Sequence, residues 1–148
     1  MARVLFLTQV LPYPLDAGPK VRAYYVLKHL SQRHEVTLVS FVRPDDSPES
    51  VQHLRAMCSH VAVVPMKRSR RQDVRAAVRG LVTGAPVVIA RDSIPAMYKR
   101  LCALLSDQEY DIVHADQTSM AQYGLYARDL ARKVGPNRVP GTVLDAHN

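Results

Sequence analysis

The sequence predicts an α/β domain built on a doubly wound, Rossmann-like and mainly parallel sheet. Three observations lead there. Short apolar runs alternate with amphipathic helical patterns in the order β-α-β-α-β-α-α-β-α-β. The runs are continuous rather than in–out alternating, as expected of strands covered by helices on both faces. Right-handed crossovers between such strands leave a doubly wound sheet as the leading topology. The 148 residues, 47% hydrophobic and 22% charged, are enough for one globular core.

The first strand is Arg3 to Thr8. Met1-Ala2-Arg3 ahead of Val4 to Leu7 superficially resembles a signal peptide, but the apolar run stops at Thr8-Gln9 without a small-residue cleavage site, so a strand is the better reading. A helix starts near Pro19, where a missing N–H costs little. Its apolar positions are Ala23, Val26, Leu27 and Leu30, with Tyr24 and Tyr25 widening the face. Glu35 to Phe41 is the second strand. Ser47 before Pro48 starts a helix running to about Cys58. Val61 to Pro65 is the third strand.

A basic stretch follows, with Val74, Ala77, Val78 and Leu81 on one helical face and Arg71, Arg75 and Arg79 on another. Val87 to Ala90 is either a short strand or an extended connector. Ser93 is expected to cap a helix carrying Ile94, Met97, Tyr98, Leu101, Leu104 and Leu105 on one face. Tyr110 to Ala115 is the fourth strand. A helix from about Thr118 turns Met120, Tyr123, Ala127 and Leu130 inward. After the turn Gly135-Pro136-Asn137, Val139 to Ala146 is the fifth strand. The sequence stops at Asp145-Ala146-His147-Asn148, where a loop and a covering helix should follow. The expectation is a single domain, residues 1–148, cut from a longer protein.

Cys58 and Cys102 lie far apart, with no CxxC and no His at zinc-like spacing, and read as buried thiols of a reducing cytoplasm. No apolar run approaches the roughly 20 residues that span a bilayer. The net charge of +7 is clustered, which favours an anionic surface or ligand. The basic stretch (Lys67, Arg68, Arg71, Arg75, Arg79) reads as a solvated face, an anionic membrane contact or a nucleic-acid patch. No aromatics interleave with its arginines, which argues against nucleic acid, while Lys and Arg opposite Val and Leu suit a lipid headgroup surface.

Ligands of an open α/β sheet bind beyond the carboxyl ends of the strands. The first such loop runs from Gln9 to Ala17 and opens a helix at Gly18-Pro19-Lys20-Val21-Arg22. It holds neither a three-glycine dinucleotide fingerprint nor a P-loop. What remains is one glycine, a helix N-terminus and the positive field of Lys20 and Arg22. The alternative is a rigid proline-rich turn with its glycine at positive φ. His114, Asp116 and Gln117 close the fourth strand at the same edge, with His114 and Asp116 on one side of it. Asp116 suits sugar hydroxyls or a base, or else caps the helix near Thr118. His147 and Asn148 close the fifth strand. A phosphorelay receiver is disfavoured, because Gln9 and Pro65 stand where acidic residues would be needed.

Leu11 to Tyr24, followed by Arg33-His34-Glu35-Val36-Thr37-Leu38-Val39, resembles the opening of the family 4-like GT-B glycosyltransferases. Tyr110 to Asp116 and Val143 to Asn148 are similar to that family's fourth and fifth strand ends. The resemblance covers essentially the whole chain, as the N-terminal half of a GT-B enzyme. It implies a retaining, metal-independent hexosyltransferase with no cofactor. A nucleotide sugar is the co-substrate, and the acceptor is lipid-linked or a polysaccharide. By the same resemblance Asp116 and His147 are the expected catalytic residues. Tyr13, Gly18, Pro19, Lys20, Arg22, His114, Gln117 and Asn148 are the expected donor or acceptor contacts, and no metal is expected.

Two departures matter. Pro19 stands where many relatives have a second glycine, removing one N–H from the diphosphate contact. The donor-binding half is absent, so this chain alone is expected to be inactive. The implied location is the cytoplasm, peripheral to the inner membrane face through the basic stretch, without a nucleic-acid partner. The other reading is a stand-alone, non-catalytic nucleotide-binding Rossmann-like module.

Overall fold

A computed structural model describes residues 1–66, 93–135 and 139–146. Five parallel strands form one sheet in the order β3-β2-β1-β4-β5. They are β1 (Arg3–Thr8), β2 (Glu35–Val42), β3 (His60–Pro65), β4 (Ile112–Asp116) and β5 (Gly141–Asp145). The helices among the described residues are α1 (Gly18–Ser31), α2 (Pro48–Arg55), α3 (Pro95–Asp107) and α4 (Ala121–Val134), the last entered through a 3₁₀ turn, Thr118–Met120. The fold is Rossmann-like and doubly wound, as the sequence predicts.

Alternation along β1 divides the core in two. Val4 and Phe6 face α1 and α2, packing with Leu27, Val36, Leu38, Leu54 and Val61. Leu5 and Leu7 face α3 and α4, packing with Met97, Leu101, Val113, Met120 and Tyr123. Each large apolar side chain so buried contributes about 1.5–3 kcal/mol relative to exposure. Gly124 lets α4 sit close to the sheet: a Cβ there would stand 3.2 Å from the Ala115 methyl carbon.

The helix starts test the capping expectations. Ser47 caps α2, its hydroxyl accepting from Ser50 N–H at 3.3 Å. Ser93 does not cap α3; Ile94 holds that position, and its N–H donates to the Tyr123 hydroxyl at 2.8 Å instead. Tyr25 is 57% exposed, so the apolar face of α1 ends at Tyr24. Only one cysteine is buried. Cys58 packs in the α1–α2 core, where burial pushes its thiol up to about 12, while Cys102 is exposed on α3. No helix among the described residues is long and apolar enough to cross a membrane.

From β1 the chain builds outward to β2 and β3, then returns to the far side of β1 for β4 and β5. The carboxyl ends of β1 and β4 therefore flank the topological switch point, where a crevice opens in such sheets.

Candidate functional site

The strands are apolar along most of their length and turn polar at this edge. Register pairs Phe6 with His114 and Asp116 with Asp145, and Thr8 lies one step beyond the last β1–β4 pair, Leu7 with Ala115. Alternation then sets Thr8, Asp116 and Asp145 in one row on the α1 face, with His114 a step behind.

His114, Asp116 and Asp145 each bring a ligand-type atom within 4.8 Å of the other two. The His114 ring stacks on Phe6, centroids 4.6 Å apart, which fixes its plane. Its Nε2 is sealed from solvent and has no hydrogen-bond partner. Burial lowers the His114 pKa, with the Asp145 carboxylate pulling the other way, so the neutral imidazole is favoured. Thr8 is fully buried and its hydroxyl likewise has no partner. Leaving such a group unsatisfied costs about 1–3 kcal/mol, which marks this edge as built for something other than packing.

Asp116 is fully buried as the last residue of β4, and the cap position of the following turn belongs to Gln117. Helix capping therefore does not account for Asp116. Gln117 has φ 75° and ψ 150°, the only positive-φ non-glycine among the described residues. Its N–H donates to the Asp145 carbonyl at 3.0 Å, so the strained exit of β4 is fastened to the end of β5.

Arg22 reaches across from α1 and grips Asp145 with two nitrogens, Nη2 at 2.8 Å from Oδ1 and Nε at 3.2 Å from Oδ2. Lys20 diverges toward the other side, pairing with Asp16 at 3.0 Å and reaching Asp46 at 4.0 Å. The positive field expected of these two residues is thus offset by carboxylates. Gly18 is the first residue of α1, with Ala17 at the cap and no side chain capping the end. A Cβ at Gly18 would meet open space and its φ is not positive, so the positive-φ turn reading fails. Pro19, next in the helix, supplies no N–H.

Tyr13 is drawn elsewhere. It stacks on His53, centroids 4.1 Å apart, beside Tyr24, and the Tyr13–Pro14 bond is cis. A concavity of about 310 Å³ lies between this loop and the β2–α2 turn, lined by Leu11, Pro14, Asp16, Lys20, Arg43 and Asp46 among others. His147, Asn148 and the basic group Lys67, Arg68, Arg71, Arg75 and Arg79 lie outside the described residues.

The fold has a solved counterpart. The C-terminal domain of a hydrogenase from Pyrococcus furiosus superposes with a TM-score of 0.55 at 14% identity, over 97% of this chain and 91% of that one. At that identity the likeness concerns the fold alone. No family model and no curated protein matches the chain.

The structure brings together His114, Asp116, Gln117 and Arg22, and adds Asp145 and Thr8, which the sequence reading did not single out. The signal for Asp145 was there in principle. Two strands ending in Asp place both carboxylates side by side once β4 and β5 pair in parallel register.

Proposed function

We propose that this chain is the acceptor-side half of a retaining glycosyltransferase, one that moves a sugar from a nucleotide-sugar donor to a lipid-linked or polysaccharide acceptor. One observation carries the reading: His114, Asp116 and Asp145 converge at the switch point, beside the uncapped N-terminus of α1. Carboxylates and a neutral imidazole suit sugar hydroxyls, and a bare helix N-terminus suits phosphate oxygens. The sequence resemblance to family 4-like GT-B enzymes supports the assignment. The concavity beside Lys20 and Arg43 offers the acceptor a place on the same edge. The basic residues between Lys67 and Arg79 would hold the protein to anionic lipid at the inner membrane face.

Saturation-transfer NMR tests the acceptor side on the chain itself, with a short-chain prenyl-diphosphate-linked saccharide and a linear oligosaccharide as probes, since the donor is expected to be held mostly by the half that is absent. Transfer to hexose protons is expected, and should be lost in folded Asp116→Asn. Absence of transfer from the unmutated chain to both probes would overturn the reading.

A further inference from the structure

The β1–α1 loop and the β2–α2 turn enclose the concavity of about 310 Å³ at the carboxyl edge of the sheet. We propose that it seats one uncharged pyranose of the acceptor through a hydroxyl held between Lys20 and Asp46, and that it rejects acidic sugars. The proposal rests on the transferase reading and narrows its acceptor.

The polar wall decides the ligand chemistry. The side chains of Lys20 and Asp46 are only 16% and 11% exposed, so two charges are held largely out of water. Lys20 Nζ carries three N–H donors, of which the Asp16 carboxylate, at 3.0 Å, engages one side. Asp46 accepts the Arg43 backbone N–H on Oδ2 at 2.7 Å and turns Oδ1 toward Lys20. The Nζ–Oδ1 separation is 4.0 Å, too long for a hydrogen bond. An oxygen about 2.8 Å from each fits between them, accepting from the ammonium and donating to the carboxylate. A hydroxyl does both at once. Asp16, Asp45 and Asp46 put three carboxylates on the lining against the two cations Lys20 and Arg43, so a sugar carboxylate is repelled.

The remaining lining suits a single ring. Val10, Leu11 and Pro14 give an apolar patch for ring C–H groups, and Ser47 and Ser50 bring hydroxyls at the start of α2. Ligand pockets begin at roughly 300 Å³, so the space is that of one ring and not of a chain.

The walls are also held in place. Tyr13 stacks on His53 with centroids 4.1 Å apart, and the Tyr24 hydroxyl lies 3.1 Å from His53 Nε2. Tyr13 precedes Pro14, Tyr24 stands one helical turn beyond Lys20, and His53 one turn beyond Ser50. The loop, α1 and α2 are thus fastened to one another by aromatic side chains next to their lining residues. A site fixed in this way binds without first ordering its walls.

Nitrogen–proton correlation NMR of the chain tests the subsite. The probes are the methyl glycosides of glucose, galactose and mannose, against those of glucuronic and galacturonic acid. At least one neutral glycoside should shift the amides of Lys20, Asp46 and Ser47 saturably, and the two uronides should bind at least about 10-fold more weakly. Folded Asp46→Asn, which sets a donor where the hydroxyl needs an acceptor, should bind the neutral glycoside about 10-fold more weakly. If that variant does not fold, the preference of the unmutated chain for neutral over acidic glycosides decides alone. No neutral glycoside shifting these amides, uronides bound as tightly, or unchanged affinity in folded Asp46→Asn would each overturn the proposal. A neutral glycoside that shifts Gln117 but not Lys20 and Asp46 would also overturn it, while leaving the transferase reading to its own test with Asp116→Asn.

Discussion

Gln117 holds a backbone conformation that side chains disfavour, and it does so where β4 hands over to the next helix. Strain of this kind costs about 1–3 kcal/mol. Glycine adopts the conformation freely but adds about 0.5–1 kcal/mol of chain entropy to be lost on folding. Gln117→Gly should therefore stabilise the fold by about 1 kcal/mol, raising Tm by about 3 °C in a thermal melt. An unchanged or lower Tm would show that the side chain supplies compensating contacts. His114 and Asp116 were legible from the sequence because period-2 alternation alone sets them on one face. The strain at Gln117 was not, since glutamine carries no sign of positive φ. The pairing of Lys20 with Asp16 is local, four residues apart, whereas its longer reach to Asp46 depends on the β2–α2 turn and left no local trace.

At the level of elements, α4 sits close on β4. Gly124 is the fourth residue of α4; glycine within a helix is about 0.5–1 kcal/mol worse than alanine, and the close approach to Ala115 explains its presence. A β-branched residue has no room there. Gly124→Val should cost about 2 kcal/mol, read as a lowered urea midpoint at unchanged slope. A midpoint within error of the unmutated chain would mean that α4 can slide outward freely.

The apolar faces of α3 and α4 were legible in large part: the expected inward residues all pack in or against the core, but Tyr126 and Ala131 of α4 pack there too and were not singled out. Their starts were less so. Ser93 has the right chemistry for a cap, yet α3 begins two residues later, because Pro95 suits the first helical turn and Tyr123 takes the N–H of Ile94. Capping by a tertiary neighbour leaves no local trace in sequence.

For the whole molecule, the fold class was legible because β1 to β4 are largely buried and so read as continuous apolar runs, whereas β5 at the sheet edge is exposed. The order of the strands was not. Nothing local says that β4 returns to the open side of β1. That return builds the crevice, and it is why Arg22 and Asp145, 123 residues apart, meet.

The return also has a price in time during synthesis. β1 leaves the ribosome first, yet one of its two edges waits for β4, about 100 residues later. At translation rates of 5–20 residues per second the wait is about 5–20 s, with an apolar strand offering unpaired amides to any passing chain. Stalled nascent chains should therefore gain protease resistance only once Ile112–Asp116 has cleared the exit tunnel. Resistance in chains that expose β1 to β3 alone would show that the first three strands close on themselves. Until β4 emerges, the central strand of the finished sheet is an edge in need of a chaperone.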